Sequence, residues 1–470
     1  MTPNFPKYIR VFARLTLISI CCFVLAVFAH AQQPGAKRAL IISIDGLDTR
    51  YIQDPDKYGL KIPTLRRLIA NGVTAKGMRS VYPSVTYPNH TALVTGTTPS
   101  RNGIVGNGIF EDPAGTRTGA WFWYSTSIKA DTLWDSASRA GMTFGSVSWP
   151  VSVGAGDWNV PEIWAPGGSV VESRRATSEN SRPRGLVEEI ERADRDLYSG
   201  VTADEGDDMR TRFAEHIIRN KAPNLMLVHI FDLDHFEHEH GPFTKEAISI
   251  LEKTDGYVAR MLKAYEEAGT LQETAVFITS DHGFKPISKN INPGVLLARE
   301  GLADVETVKD DSGRDRTAVK TWKAAVYPNA AYCAVYVKDW KDEASLGQLR
   351  TMFKELEGKE GSGIHKVYDA TEVRLMGGDP LAAFVLDPAD GYSCGGSYGG
   401  EYITETGSKG THGYHPDRND FLASFIASGP GVTRRGKIDV IDMIDVGPTI
   451  AKLLGIELRD ATGKAVELGR

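Results

Sequence analysis

Short, continuous apolar runs punctuate the chain, and longer stretches of 3.6-residue periodicity lie between them. Arg38-Ala-Leu-Ile-Ile-Ser-Ile44 is the first run, and its length and composition predict a strand buried on both faces. Leu225 to Phe231, Thr274 to Thr279 and Phe421 to Ala427 repeat the pattern, and Phe144 to Val147 is a shorter candidate. Helical patterning fills the intervals. Pro63 to Ala70 has an early proline and an Asn71-Gly72 stop, and Asp131 to Arg139 has Asp131 as its expected cap. Asp204 to Arg219 and Thr244 to Ala268 are amphipathic, and Asp442 to Leu454 closes the chain. Strands alternating with helices predict an α/β protein with a doubly wound, mostly parallel sheet and helices on both faces.

Two stretches break the alternation. Residues 148–200 carry Trp149, Trp158 and Trp164 among glycines and prolines, then a charged segment. Residues 301–410 mix short strands, a Lys/Glu-rich helix near 344–357 and the loop Ser393-Cys394-Gly-Gly-Ser-Tyr-Gly-Gly400. Both read as insertions that wall a site, the second as a small lid-like subdomain. The expected organisation is a leader over 1–31, a core over 32–300 and 411–470, and an inserted cap over 301–410.

Lys7, Arg10 and Arg14 precede an apolar run from Leu15 to Phe28, and Ala29-His30-Ala31 places small residues where a signal peptidase reads. The chain is therefore expected to be exported, periplasmic or secreted, with no membrane span left after cleavage. Loss of Cys21 and Cys22 with the leader leaves Cys333 and Cys394, which can pair in an oxidising compartment. The 470 residues carry a net charge of −6, and losing those three cations takes it to −9. That balance, without Lys/Arg clusters, argues against a nucleic-acid polymer as partner. Small phosphorylated substrates remain open, because metal ions can supply the positive charge.

Candidate chemistry gathers at the ends of the predicted strands, where open α/β sheets place their sites. Asp45 follows the first strand, the segment Asp234-His-Phe-Glu-His-Glu-His240 follows the second, and Asp281-His282-Gly283 follows the third. Asp234 and His238 are four apart, so one helical turn puts them on one face. Gly410-Thr-His-Gly-Tyr-His-Pro416 offers His412 or His415. In Tyr82-Pro-Ser-Val-Thr-Tyr-Pro-Asn-His90, Pro88 suits a first helical turn, which puts Thr86 beside free N–H groups that favour an anion. A threonine hydroxyl needs a metal or a base to become a nucleophile. Three Asp, three His and one hydroxyl without thiolate suit zinc, and two such ions about 4 Å apart would clamp an in-line displacement. A Walker-type loop, a Gly-x-Ser-x-Gly elbow and a dinucleotide fingerprint are all missing from the sequence.

Ile44-Asp45-Gly46, Pro83-Ser-Val-Thr86-Tyr-Pro-Asn-His90, Thr95-Gly96, Gly103-Ile-Val-Gly-Asn107, Asp234-x-x-x-His238-x-x-Gly-Pro242, Ser280-Asp281-His282-Gly283 and Thr411-His412-Gly413-Tyr414 occur in this order. The set strongly resembles the nucleotide pyrophosphatase/phosphodiesterase family of the alkaline phosphatase superfamily, over roughly residues 38–110, 224–285 and 408–455. The resemblance implies an alkaline-phosphatase type of fold and two Zn²⁺. Asp45, Asp281, His282 and the nucleophile Thr86 would hold the first ion; Asp234, His238 and His412 would hold the second. It favours His412 over His415. It further implies that Asn107 and the Thr86 backbone N–H bind a nonbridging phosphoryl oxygen, that Tyr87 packs against the leaving group, and that hydrolysis runs through a phosphothreonine.

The superfamily acts on several ester classes, and fold alone does not choose among them. Thr-Tyr-Pro-Asn-His is not the Cys/Ser-x-Pro-x-Arg context of a sulfatase. The segment from Trp149 to Trp164 is poor in the cations that a dianionic monoester needs, although Arg174, Arg175, Arg182 and Arg184 lie beyond it. The expected substrate is thus a small phosphodiester or phosphoanhydride, a nucleotide or a lipid head group. The alternatives are an exported zinc phosphomonoesterase and a noncatalytic metal-binding scaffold.

Overall fold

A computed structural model describes residues 36–201, 206–310 and 312–469. The expected leader, with Cys21 and Cys22, lies outside the described residues. Among those residues no helix is long and apolar enough to cross a membrane.

The central sheet contains β1 (Arg38–Ile44), β2 (Gly72–Ala75), β3 (Phe144–Val147), β4 (Trp158–Val160), β5 (Leu225–Ile230), β6 (Thr274–Thr279), β7 (Phe425–Ser428) and β8 (Gly436–Ile438), in the order β8-β2-β7-β6-β1-β5-β3-β4. β6, β1, β5, β3 and β4 run parallel. Successive side chains of β1 enter opposite cores. Leu40, Ile42 and Ile44 join Leu65, Ile217 and Val258 on one face, and Ala39 and Ile41 join Leu93, Ala137 and Ile450 on the other. Each fully buried Ile or Leu contributes roughly 1.5–3 kcal/mol. A one-residue slip of β1 would exchange the two sets, so the register that fixes Asp45 is strongly specified.

Two local expectations are corrected. The helix expected from Asp131 spans Leu133–Arg139, and its cap is Thr132, which forms a reciprocal capping box with Asp135. The strand expected from Phe421, β7, begins at Phe425 instead and runs antiparallel to β6. Residues 421–424 are drawn off to the site loop instead, where the Phe421 and Ser424 carbonyls accept from the N–H groups of Gly283 and Ser280.

Within residues 301–410, strands Ala324–Asn329, Tyr332–Val337, Phe384–Pro388 and Ile364–Asp369 form a separate four-stranded sheet, with helix Glu343–Leu356 packed on it. Cys333 and Cys394 form a disulfide across 61 residues. This region joins the rest closely. Strand Lys285–Ile291 pairs with Gly391–Cys394, Ile403–Glu405 and Gly410–Thr411, and Tyr332 and Tyr368 sit edge-on to Tyr82.

Candidate metal centre

The carboxyl ends of β1, β5 and β6 converge, because the three strands are parallel neighbours. Asp45 directly follows β1. Its successor Gly46 has φ +73°, a conformation that favours glycine, and a Cβ there would meet Glu237 and Phe284 at 3.0 Å. After β6 the chain turns through Asp281-His282-Gly283, so both adjacent side chains face inward. Asp281 Oδ1 fixes that turn by accepting from the N–H groups of His282 (3.0 Å) and Gly46 (3.2 Å). Gly283 has no room for a side chain, since a Cβ would lie 2.4 Å from Asp48 Oδ2 and from the Phe421 carbonyl.

β5 leads into helix α1 (Asp232–His240), whose i, i+4 spacing sets His238 Nε2 3.6 Å from Asp234 Oδ2. His412 follows the short strand Gly410–Thr411, and its carbonyl accepts from Ala331 N–H at 2.8 Å. The rings of His412 and His282 stack at 3.5 Å. His238 Nδ1 faces the Gly410 carbonyl at 3.0 Å, and His412 Nδ1 faces the Ser84 carbonyl at 3.1 Å. The Nε2 atoms are thereby left for a ligand.

Two groups of ligand atoms result, Asp234 with His238 and His412, and Asp45 with Asp234 and His282. Within each, one atom per residue lies within 4.8 Å of the others. Asp281 borders the second group, its Oδ2 3.2 Å from His282 Nε2. His412 is a member, whereas His415 belongs to neither group and instead stacks on Tyr368.

Electrostatics show what the cluster lacks. Asp45 Oδ1, Asp234 Oδ1, Asp281 Oδ2 and His282 Nε2 are buried without a hydrogen-bond partner. Burial, then Asp234, holds Asp45 well above the ordinary carboxylate range, and burial, then Asp45, does the same for Asp281. Burial, then His412, pushes His282 far down, and burial pushes His412 down to about 4. Orphaned polar atoms buried facing one another carry a large desolvation penalty. Divalent cations relieve that penalty, and the Asp/His donor set without thiolate fits zinc. The residues present therefore fit a two-metal site.

Thr86 is the first residue of helix α2 (Thr86–Thr95), one position inside the expected N-terminus. Asn107 Oδ1 accepts from Tyr87 N–H at 2.9 Å, which orients the amide so that its NH₂ is free to donate. Tyr87 is completely buried, edge-on to the half-buried Trp121, which in turn packs on Trp164. Sequence reasoning missed His229, Glu162 and the role of His90. His229 Nε2 lies 3.0 Å from Asp45 Oδ2, and its Nδ1 lies 3.0 Å from Glu162 Oε2. His90 Nδ1 meets the Thr86 carbonyl at 2.8 Å. A signal for His229 existed, because it is the one polar side chain in the buried strand Leu225–Ile230.

Residues 39–415 match the type I phosphodiesterase / nucleotide pyrophosphatase family. The chain belongs to that family. Rat ectonucleotide pyrophosphatase/phosphodiesterase family member 1 is 23% identical over 429 residues, 89% of this chain and 40% of the rat protein. Human family member 5 is 26% identical over 283 residues, 57% of this chain and 50% of the human one. The chain thus spans half or less of the length of these relatives. Among solved structures, murine ectonucleotide pyrophosphatase/phosphodiesterase 5 superposes with a TM-score of 0.63 at 19% identity, covering 91% of this chain and 97% of that one. An inactive threonine-to-alanine form of the murine protein in complex with AMP superposes equally well. These likenesses support an alkaline-phosphatase-like mixed α/β fold.

Proposed function

We propose that this protein is an exported two-zinc phosphodiesterase/nucleotide pyrophosphatase, acting on small phosphodiester or phosphoanhydride substrates with Thr86 as nucleophile. The observation that carries the reading is the set of orphaned, buried carboxylate and imidazole atoms that face one another at the sheet edge. Asp45, Asp281, His282 and the Thr86 hydroxyl would hold one Zn²⁺; Asp234, His238 and His412 would hold the other. When bound, the two ions supply Lewis acidity that favours the alkoxide of an attacking hydroxyl and offsets charge on the oxygens around phosphorus.

Thr86 Oγ attacks phosphorus in line. The Oγ–P bond forms as the bond to the leaving oxygen breaks, and water then cleaves the Oγ–P bond to restore the hydroxyl. At the start of α2 the Thr86 N–H is left for a phosphoryl oxygen, since the Tyr87 N–H is taken by Asn107 Oδ1, residue 88 is a proline and the Asn89 N–H is bonded to the Val85 carbonyl; the Asn107 amide donates to a nonbridging oxygen. His90, bonded to the Thr86 carbonyl, fixes the first turn of that helix. Trp121 and Trp164 offer the partly exposed aromatic surface for a leaving group, with Tyr87 behind them as support.

Three of the four arginines that could serve a dianionic monoester are engaged elsewhere, and the fourth, Arg184, is exposed. Arg174 pairs with Glu191, Arg175 with Glu179, and Arg182 donates to the Gly154 carbonyl. Residues 301–410 act as a cap whose turn at Ala331 steadies His412. Thr86→Ala tests the reading. It is expected to keep both zinc sites and lose at least ~10³ in turnover. Near wild-type turnover would remove Thr86 as nucleophile.

A further inference from the structure

Asp45 has two carboxylate oxygens with different surroundings. Oδ1 is orphaned and 3.3 Å from His282 Nε2, whereas Oδ2 lies 3.0 Å from His229 Nε2. The other nitrogen of His229 faces Glu162 Oε2 at 3.0 Å and the Ser148 carbonyl at 3.1 Å. Ser148 holds φ +51°, a left-handed conformation unusual for a residue with a side chain. Glu162 uses its second oxygen to accept from the Tyr87 hydroxyl at 3.0 Å. A continuous chain, Asp45–His229–Glu162–Tyr87, therefore runs from the metal cluster to the helix that carries Thr86. His229 is 1% exposed and Glu162 has a side chain 12% exposed, so water is largely excluded from it.

We infer that His229 and Glu162 are positioning residues: they hold Asp45 so that only Oδ1 faces the first metal, and they tie that carboxylate to the nucleophile helix through Tyr87. A carboxylate free to rotate would present either oxygen and bind an ion with poorer geometry; partners of this kind typically govern metal affinity by 10–100-fold. Glu162 thus gives a role to the Trp-rich stretch: it lies two residues past the end of β4, the edge strand of the same sheet, and reaches His229 from there. The inference rests on the two-metal reading of the site.

The test is zinc titration of metal-free full-length protein against a chromophoric chelator, with no substrate present. His229→Phe preserves a ring but removes the nitrogen that meets Asp45 Oδ2. It is expected to weaken one of the two zinc sites about 10–100-fold and to leave the other unchanged. His229→Gln, which can still donate to Asp45, is expected to recover part of the loss. Glu162→Gln keeps the shape of the side chain and carries the test if His229→Phe fails to fold; it is expected to weaken the same single site, by less. Equal weakening of both sites, or none, in folded variants would overturn the inference. Wild-type protein that binds no zinc would instead overturn the two-metal reading beneath it.

Discussion

Replacing Cys333 and Cys394 by serine removes a cross-link spanning 61 residues. Closing a loop of that length restricts the unfolded chain by about 4 kcal/mol at 25 °C. If the sheet of residues 301–410 unfolds together with the core, a cooperative unit of about 430 residues has an unfolding entropy of roughly 0.9 kcal/mol/K, and Tm falls by about 5 °C. If that sheet unfolds alone, the same free energy acts on about 110 residues and lowers a separate transition by roughly 18 °C. The packing favours the first outcome, because Tyr332 and Tyr368 abut Tyr82 and strand Lys285–Ile291 is shared by both parts. The double variant is also expected to weaken zinc at the His412 site. The Cys394 N–H donates to the Ala330 carbonyl, one residue before the Ala331 N–H that holds His412. Calorimetry of metal-free protein gives the transitions, and zinc titration gives the affinity. A single transition shifted by less than 1 °C would refute the cross-link as a stabilising element. A separate, strongly shifted transition would refute the cooperative packing.

Asn107→Ala removes the proposed phosphoryl donor and the acceptor of Tyr87 N–H; kcat is expected to fall ~10²–10³-fold in steady-state assays with zinc affinity unchanged. Zinc uptake should release protons from Asp45 and Asp281 and none from His282 or His412. Asp45 and Asp281 are raised by burial, so they hold protons from the ordinary carboxylate range upward, whereas His412, lowered to about 4, is already neutral near pH 6. Apparent affinity therefore rises with pH through the window above about 4 until the two acids are ionised. Calorimetry in two buffers of unlike ionisation enthalpy checks this, and an absence of proton release just above the ordinary carboxylate range would contradict it. Thr132→Ala deletes one half of a capping box and is expected to cost about 1 kcal/mol by denaturant unfolding, with activity intact.

The buried strands and the helices beside them were legible in the sequence because burial on both faces leaves near-continuous apolar runs. The observed bounds of β1, β3 and β6 coincide with the expected ones. The strands β2, β4 and β8, three or four residues long, were not read, although β3, with four residues, was. The antiparallel direction of β7 was hidden because alternation of elements carries no sign of strand direction. Asp234 and His238 were readable from helical spacing. His412 could be separated from His415 only by resemblance, since both lie on one loop. Glu162 and His229 are far apart in sequence and have no shared spacing; only the fold brings β5 against the Trp-rich insertion.

The most direct measurement is kcat/KM of the zinc-loaded protein, residues 32–470, for a nitrophenyl phosphate diester and the matching monoester. The account predicts a strong preference for the diester, lost in Thr86→Ala. A monoester preference would contradict it and direct attention to the arginines between Arg174 and Arg184 for an unrecognised cation. Failure to turn over either ester would contradict the hydrolase reading itself.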